Sequence, residues 1–323
     1  MRRLAIVLVL ILAVLAMAWT AGWFLLAAWA EQKSADVLAG LEERGIRVRC
    51  EGRDIVGFPF TLRMACAETE IVEARSGSTA MLAGMRGGVS VFAPRTARIE
   101  FDAPADVESP LVPGPAEFSW REAAVQVGIG VNGPREVGFD AADFTASIPA
   151  GAVKAERADG MLAPSEDGGS IADFSFDRLE LTVNGTAYPS LDGSVAALLS
   201  VSPRALLSGR AALQAPLSAR EIKVTLENGE AKLQAEGDIA VDAEGILDGT
   251  ITLRLAGAEG LGAFIAALPA DAQKMGNAIA GAMLAFGRAT ELEGAPASEL
   301  TVEITRGRAK VGMFEADLPR LRL

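Results

Sequence analysis

Two cysteines, two close pairs of carboxylates and a complete lack of histidine define the chemistry open to this chain. Asp140 with Asp143, and Glu166 with Asp167, are the residue types for a carboxylate-only mechanism. In such a mechanism one group protonates a leaving atom while the other activates water. Solvated turn residues of an acidic protein account for the same pairs more simply. Without histidine there is no Ser-His-Asp or Cys-His nucleophilic site and no His-ligated metal centre. No glycine loop of Walker or Rossmann spacing appears either. The expectation is a protein that is not an enzyme, with no catalytic residue, no metal and no cofactor. A carboxylate hydrolase is the minority alternative.

The cysteines lie in the densest local signature, Cys50-Glu51-Gly52-Arg53-Asp54-Ile55-Val56-Gly57-Phe58-Pro59-Phe60-Thr61-Leu62-Arg63-Met64-Ala65-Cys66. It reads as two short strands, each carrying a cysteine, about a corner made by Gly57, Phe58, Pro59 and Phe60. With no histidine to lower a thiol pKa, and in an oxidising compartment, an even pair reads as a Cys50–Cys66 disulfide. Closing that loop contributes roughly 3 kcal/mol in the chain-entropy model. Phe58 and Phe60 are expected in the core.

The compartment is set by the first thirty residues. After Met1-Arg2-Arg3, Leu4 to Ala30 form a 27-residue charge-free stretch interrupted only by Thr20 and Gly22. A helix needs roughly 20 apolar residues to cross a bilayer. Arg2 and Arg3 hold the short N-terminus in the cytoplasm, and Trp19, Trp23 and Trp29 suit the far interface. Residues 1–30 are therefore read as an uncleaved transmembrane anchor. The rival is a signal peptide cut after Ala16-Met17-Ala18 or Ala28-Trp29-Ala30. In both readings the body is exported. An even helical pattern continues through Val37, Leu38 and Leu41 to Gly45, making 31–45 a juxtamembrane helix that packs on the body.

From Ile46 to Leu323 the period becomes two. Ile222, Val224 and Leu226 alternate with polar residues before Asn228-Gly229, a strong hairpin signal. Strands at 220–226, 231–241 and 246–255 follow as an antiparallel meander with one apolar and one wet face. Similar strands precede Asn132-Gly133 and Asn184-Gly185, with an irregularity at Asp177-Arg178, and flank the turn Arg306-Gly307-Arg308. Residues 261–286 break the pattern, with helical stripes before and after Pro269, and are expected to be a short helical pair. The fold expected is mainly β: an N-terminal transmembrane helix, then long antiparallel meanders forming a curved sheet or a sandwich, with that helical pair near the C-terminus.

The Cys50–Cys66 run, the helix ending at Gly45, and Gly312-Met313-Phe314-Glu315-Ala316-Asp317-Leu318-Pro319 together resemble the DUF2125 family of uncharacterised bacterial envelope proteins. The resemblance runs over essentially the whole chain beyond the anchor, and implies no settled activity. The plan of an anchor followed by β-meanders is also similar to that of AsmA-like envelope proteins, whose sheets hold lipid chains in an apolar trough. That second likeness is architectural, and a fold alone does not give a function.

Without the anchor the chain keeps 28 Lys+Arg against 42 Asp+Glu, a net charge of −14, which disfavours nucleic acid. The expected function is binding or transfer of lipid or amphiphile, from a single-pass position in the bacterial inner membrane with the bulk of the chain in the periplasm. A one-sided sheet must cover its apolar face, and the helical cover is short. The expected lipid-facing residues are Val224, Leu226, Leu233, Ile251, Leu253 and Leu255, with Phe264 and Met283 near the mouth. The alternative is an envelope scaffold or assembly factor with a closed β-sandwich, in which the same positions are ordinary core.

Overall fold

The computed structural model describes residues 2–43, 45–74, 76–110, 114–130, 133–208, 216–229, 231–257, 273, 277, 280–283, 285–311, 314–318 and 320. No proline or charge interrupts Leu4 to Ala30, and the backbone stays helical well beyond that stretch. α1 runs over Arg2–Glu43 as one element. It stops where Gly45 takes a φ of +87° and its N–H bonds the Glu42 carbonyl at 2.9 Å. Glycine adopts that left-handed geometry at no steric cost. Inside the apolar stretch the Thr20 hydroxyl donates to the Ala16 carbonyl at 2.8 Å, so its polar atom is satisfied within the helix.

The chain divides into two compact units, Met1–Gln126 and Val127–Leu323. The first holds α1, β1 (Ile46–Glu51), β2 (Asp54–Val56), β3 (Thr61–Cys66), β4 (Glu68–Glu73), β5 (Ser78–Ser90), β6 (Ala93–Glu108) and β7 (Ala116–Ser119), and β8 (Glu122–Gly130) carries the boundary. Among the described residues, the pairings of β1 to β7 with one another are antiparallel. β4 lies along the first half of β5 and β3 along the second, so two short strands are laid end to end on one long one. β1 pairs with β4, β2 with β3, and β6 with β5 and β7. The strand before the Gly57–Phe60 corner is thus β2, which carries no cysteine. Cys50 belongs to β1, one strand earlier, a refinement of the two-strand reading.

The second unit holds β9 (Gly133–Ile148), β10 (Gly151–Pro164), β11 (Ser170–Val183), β12 (Thr186–Ala187), β13 (Leu191–Leu199), α2 (Pro203–Ser208), β14 (Leu217–Asn228), β15 (Ala231–Val241), β16 (Leu247–Ala256), β17 (Arg288–Leu292), β18 (Ala295–Thr305), β19 (Arg308–Val311) and β20 (Phe314–Asp317). Successive antiparallel pairing joins β9, β10, β11, β13, β14, β15, β16, β18, β19 and β20, with β12 also on β11 and β17 also on β18. The hairpin signals hold. Asn184-Gly185 and Arg306-Gly307 both carry two successive positive φ angles, the geometry a two-residue hairpin requires. At Asn228-Gly229 the asparagine is still in the ladder, opposite Ala231, so the turn falls one residue later. Asn132 lies outside the described residues.

The irregularity at Asp177-Arg178 is a β-bulge, with the register shifting between Phe176 and Leu179. Arg178 has a φ of 50°, and its N–H is taken by the Asp192 carboxylate at 2.6 Å. The device recurs. Glu221 bulges at φ 50° with its N–H on Asp238 at 2.8 Å, and Arg306 turns at φ 50° with its N–H on Asp248 at 2.8 Å. A backbone donor freed by a bulge must find another acceptor, and here a side-chain carboxylate supplies it. Three of the chain's 42 acidic residues thus serve the sheet directly.

The expected helical pair at 261–286 falls mostly outside the described residues. Gln273, Asn277, 280–283 and 285–286 of that stretch are helical.

Candidate functional site

Register, rather than sequence proximity, assembles the apolar face of the second unit. Phe139 stands opposite Gly160, Gly160 opposite Phe174, Phe174 opposite Val195, and Val195 opposite Val224. The row continues through Ala235 and Leu253 to Leu300. A neighbouring row on the same face runs Ala141, Ala158, Phe176, Gly193, Leu226, Leu233 and Leu255. A third brings Ile222, Gly237 and Ile251 together with Val302. Side chains two apart on a strand share a face, so these rows form one surface across eight strands.

The two ends of that surface differ. At β16 and β18 it is dry: Leu255, Met283 and Leu300 are buried at 4%, 3% and 6% exposure, with Leu233, Leu253, Ala282 and Val311 packed against them. At β9, β11 and β13 it is open, with Phe139, Phe174 and Val195 exposed at 40%, 37% and 37%. The open end is an aromatic shelf. Ring centroids of Phe139 and Phe174 are 5.8 Å apart, and those of Phe174 and Phe176 are 5.9 Å apart. Glycines make the shelf flat. A Cβ on Gly160 would strike the Phe139 ring, and one on Gly193 would strike the Phe176 ring and Leu226. Each ring thus lies across a cross-strand glycine, an arrangement that buries aromatic surface where the partner has no side chain.

Of the residues expected to face lipid, Leu233, Leu253, Leu255 and Met283 stand in or against the dry cluster. Val224, Leu226 and Ile251 are half-buried on the same face. Leu226, Leu233 and Leu255 also line an apolar recess of about 40 Å³ together with Leu191 and Ala231. Phe264 lies outside the described residues. The shelf residues Phe139, Gly160, Phe174, Phe176 and Gly193 were not singled out from sequence. The alternation of Phe174 and Phe176 signalled a strand, but only register reveals which glycines lie opposite.

The opposite face is polar and tied. Arg254 bridges Glu236 at 2.8 Å and Glu299 at 2.9 Å, stitching β15, β16 and β18. The hydrogen bonds that Arg254 donates to Glu299 and then Glu236 raise its pKa. Lys232, held by Glu227 and Glu293, is likewise raised, chiefly by those two hydrogen bonds. The carboxylate pairs do not converge on a cleft. Asp143 is a positive-φ residue within β9, and Asp167 sits in the β10–β11 connection, where its hydrogen bond with Arg220 lowers its pKa.

In the first unit, Cys50 and Cys66 form a disulfide with Cα atoms 5.3 Å apart. It joins β1 to β3 beside the point where β3 gives way to β4, and the Ala67 N–H bonds the Glu51 carbonyl there at 2.8 Å. The corner that follows does not enter a core, as was expected of it: Phe58 and Phe60 are exposed at 50% and 51%. It docks instead on α1. The Trp19 indole N–H donates to the Pro59 carbonyl at 3.2 Å, and the Trp23 indole N–H to the Thr61 carbonyl at 3.1 Å. The Trp23 ring meets Phe58 edge-on at 5.4 Å.

The family model described as an uncharacterized protein conserved in bacteria (DUF2125) matches residues 23–319. The chain belongs to the DUF2125 family. The match begins at Trp23, the first buried residue of α1 among those described, and takes in the docked corner, both cysteines and the whole apolar surface of this DUF2125 protein. No curated protein and no solved structure matches it.

Proposed function

We propose that this DUF2125 protein is a lipid- or amphiphile-binding component of the bacterial envelope. α1 anchors it as a single pass in the inner membrane, and its body is periplasmic. One observation carries the reading: an apolar surface eight strands wide is covered at β16 and β18 and uncovered at the Phe139–Phe174–Val195 end. Exposed apolar surface arranged as a continuous patch marks a binding face, and an acyl chain is the ligand whose chemistry it matches. The 27-residue apolar stretch and the disulfide support the envelope location.

Native mass spectrometry of the detergent-extracted protein tests it directly. The wild type should carry co-purifying lipid. Val195→Glu, at the open end, should fold and lose it. Leu255→Glu should deplete the protein, because a carboxylate buried without a partner costs several kcal/mol. A scaffold reading draws on the dry Leu255–Met283–Leu300 cluster, which resembles closed core. Lipid-free wild type together with an unchanged, functional Val195→Glu protein would favour the scaffold.

A further inference from the structure

The Gly57–Phe60 corner meets α1 in the second half of its apolar stretch, before the end. Trp19 and Trp23, which bind Pro59 and Thr61, lie 11 and 7 residues before Ala30. At 1.5 Å per residue they stand about 22 and 28 Å along the helix from Leu4, against a hydrocarbon core of about 30 Å. On α1 the docked face is the stripe Trp19, Trp23, Ala27 and Glu31, spaced by four. Trp23 and Ala27 are each 8% exposed, and Glu31 reaches Arg53 at 4.0 Å. Phe24 flanks that stripe and stacks on Phe58 with ring centroids 6.3 Å apart, while the rest of these turns is bare: Leu25, Leu26 and Trp29 are exposed at 54–74%.

Beside the corner lies the tip of the β5–β6 hairpin. Phe92 is 79% exposed and its ring is 5.5 Å from that of Phe60, while the Val91 N–H bonds the Phe60 carbonyl at 3.0 Å. Phe58, Phe60, Val91 and Phe92 thus form one apolar patch, tied to the apolar stretch of the helix through the Pro59 and Thr61 carbonyls. The nearest cations on these strands, Arg63 and Arg95, are exposed and lie three residues beyond Phe60 and Phe92. Positive charge flanking an apolar tip suits contact with lipid phosphates.

We propose that the Phe58–Phe60 corner and the Val91–Phe92 tip are inserted in the outer leaflet of the bilayer that α1 crosses, forming a second membrane contact made by strands. The inference rests on the anchor reading of α1. It is distinct from the lipid-binding face of the second unit. A protein partner is the competing occupant; the tether to an apolar helix and the flanking arginines favour the bilayer.

The test is spin labelling of the full-length protein in phosphatidylcholine–phosphatidylglycerol vesicles, with the native cysteines kept in their disulfide. Labels are placed singly at Leu15→Cys in α1, at Phe92→Cys, and at Glu108→Cys. Glu108 lies at the far end of β6, about 50 Å of strand from the tip. Val91→Cys serves as a second tip position, and circular dichroism checks each fold. Labels at 15 and 92 that lose access to an aqueous nickel chelate but keep access to oxygen, with 108 open to nickel, support the proposal. A shielded 15 with a nickel-accessible 92 overturns it and leaves the anchor standing. Nickel access at both overturns the anchor and the proposal together. A tip shielded from nickel and oxygen alike reports a protein cover and also overturns it.

Discussion

Three aspartates outside the carboxylate pairs Asp140–Asp143 and Glu166–Asp167 hold irregular backbone in the structure. Asp192 and Asp238 each accept an N–H from a positive-φ residue on a neighbouring strand, and Asp248 accepts one from Arg306 in the β18–β19 turn. Asp238→Ala should leave the Glu221 N–H to water and cost about 1 kcal/mol, read as a lower midpoint in urea unfolding. The Cys50–Cys66 bond has a larger expected effect: Cys66→Ser with Cys50→Ser should lower stability by about 3 kcal/mol. Titration separates the ion pairs. The folded Asp167 pKa lies below 3.8, so its pairing with Arg220 stabilises above that value and is lost as pH falls through the lower folded one. The Lys232 pKa is raised above 10.5, so its bridge is complete at neutral pH and lost only as pH climbs past the folded value. NMR titration of the Asp167 carboxyl should show the depression shrink in Arg220→Ala, leaving the part held by a backbone hydrogen bond.

At the scale of elements, those whose signals are local could be read from residues alone. The α1 stop at Gly45, the turns at Asn184-Gly185 and Arg306-Gly307, and the bulge at Arg178 all follow from a few adjacent residues with special backbone needs. What the sequence does not reveal is pairing across distance. Nothing near Gly160 announces Phe139 on one side and Phe174 on the other, and nothing in β5 says that two strands share it. For the same reason Phe58 and Phe60 read as core: aromatic residues beside a proline corner look buried until the element they meet is known. Gly57 is a local exception that needed its surroundings. With a φ of +106° and the Thr61 side chain where a Cβ would sit, it admits no other residue without strain. Gly57→Ala should destabilise the corner by more than about 1 kcal/mol and weaken its hold on α1. Limited proteolysis at 57–61 should then speed up, while cleavage within β9 to β16 stays unchanged.

At the scale of the molecule, composition shapes the expectations of function more than any motif does. The lack of histidine and the net charge of −14 beyond residue 30 argued against hydrolase triads and nucleic acid before any coordinate was known. The division into two compact units at 126/127 left no comparable mark, because β8 runs straight through it without a linker composition. Nor does hydropathy distinguish the covered from the uncovered end of the apolar surface, since both are built from the same alternation. Carbonate washing of membranes should leave the protein in the pellet, and its N-terminal sequence should begin at Met1. A start at Trp19 or Glu31 would show a cleaved signal.

The flat shelf over Gly160 and Gly193 also sets a length. From β9 to β13 the exposed part of the row takes three interstrand steps, about 14 Å. Half of a bilayer's hydrocarbon core is about 15 Å. On the proposed function, the open end holds one leaflet's depth of a single acyl chain laid across the strands, and the dry Leu255 cluster acts as a stop. Affinity for single-chain amphiphiles should therefore rise with each added methylene until the chain reaches that depth and then level off, whereas a Gly160→Val protein should reach its plateau with shorter chains.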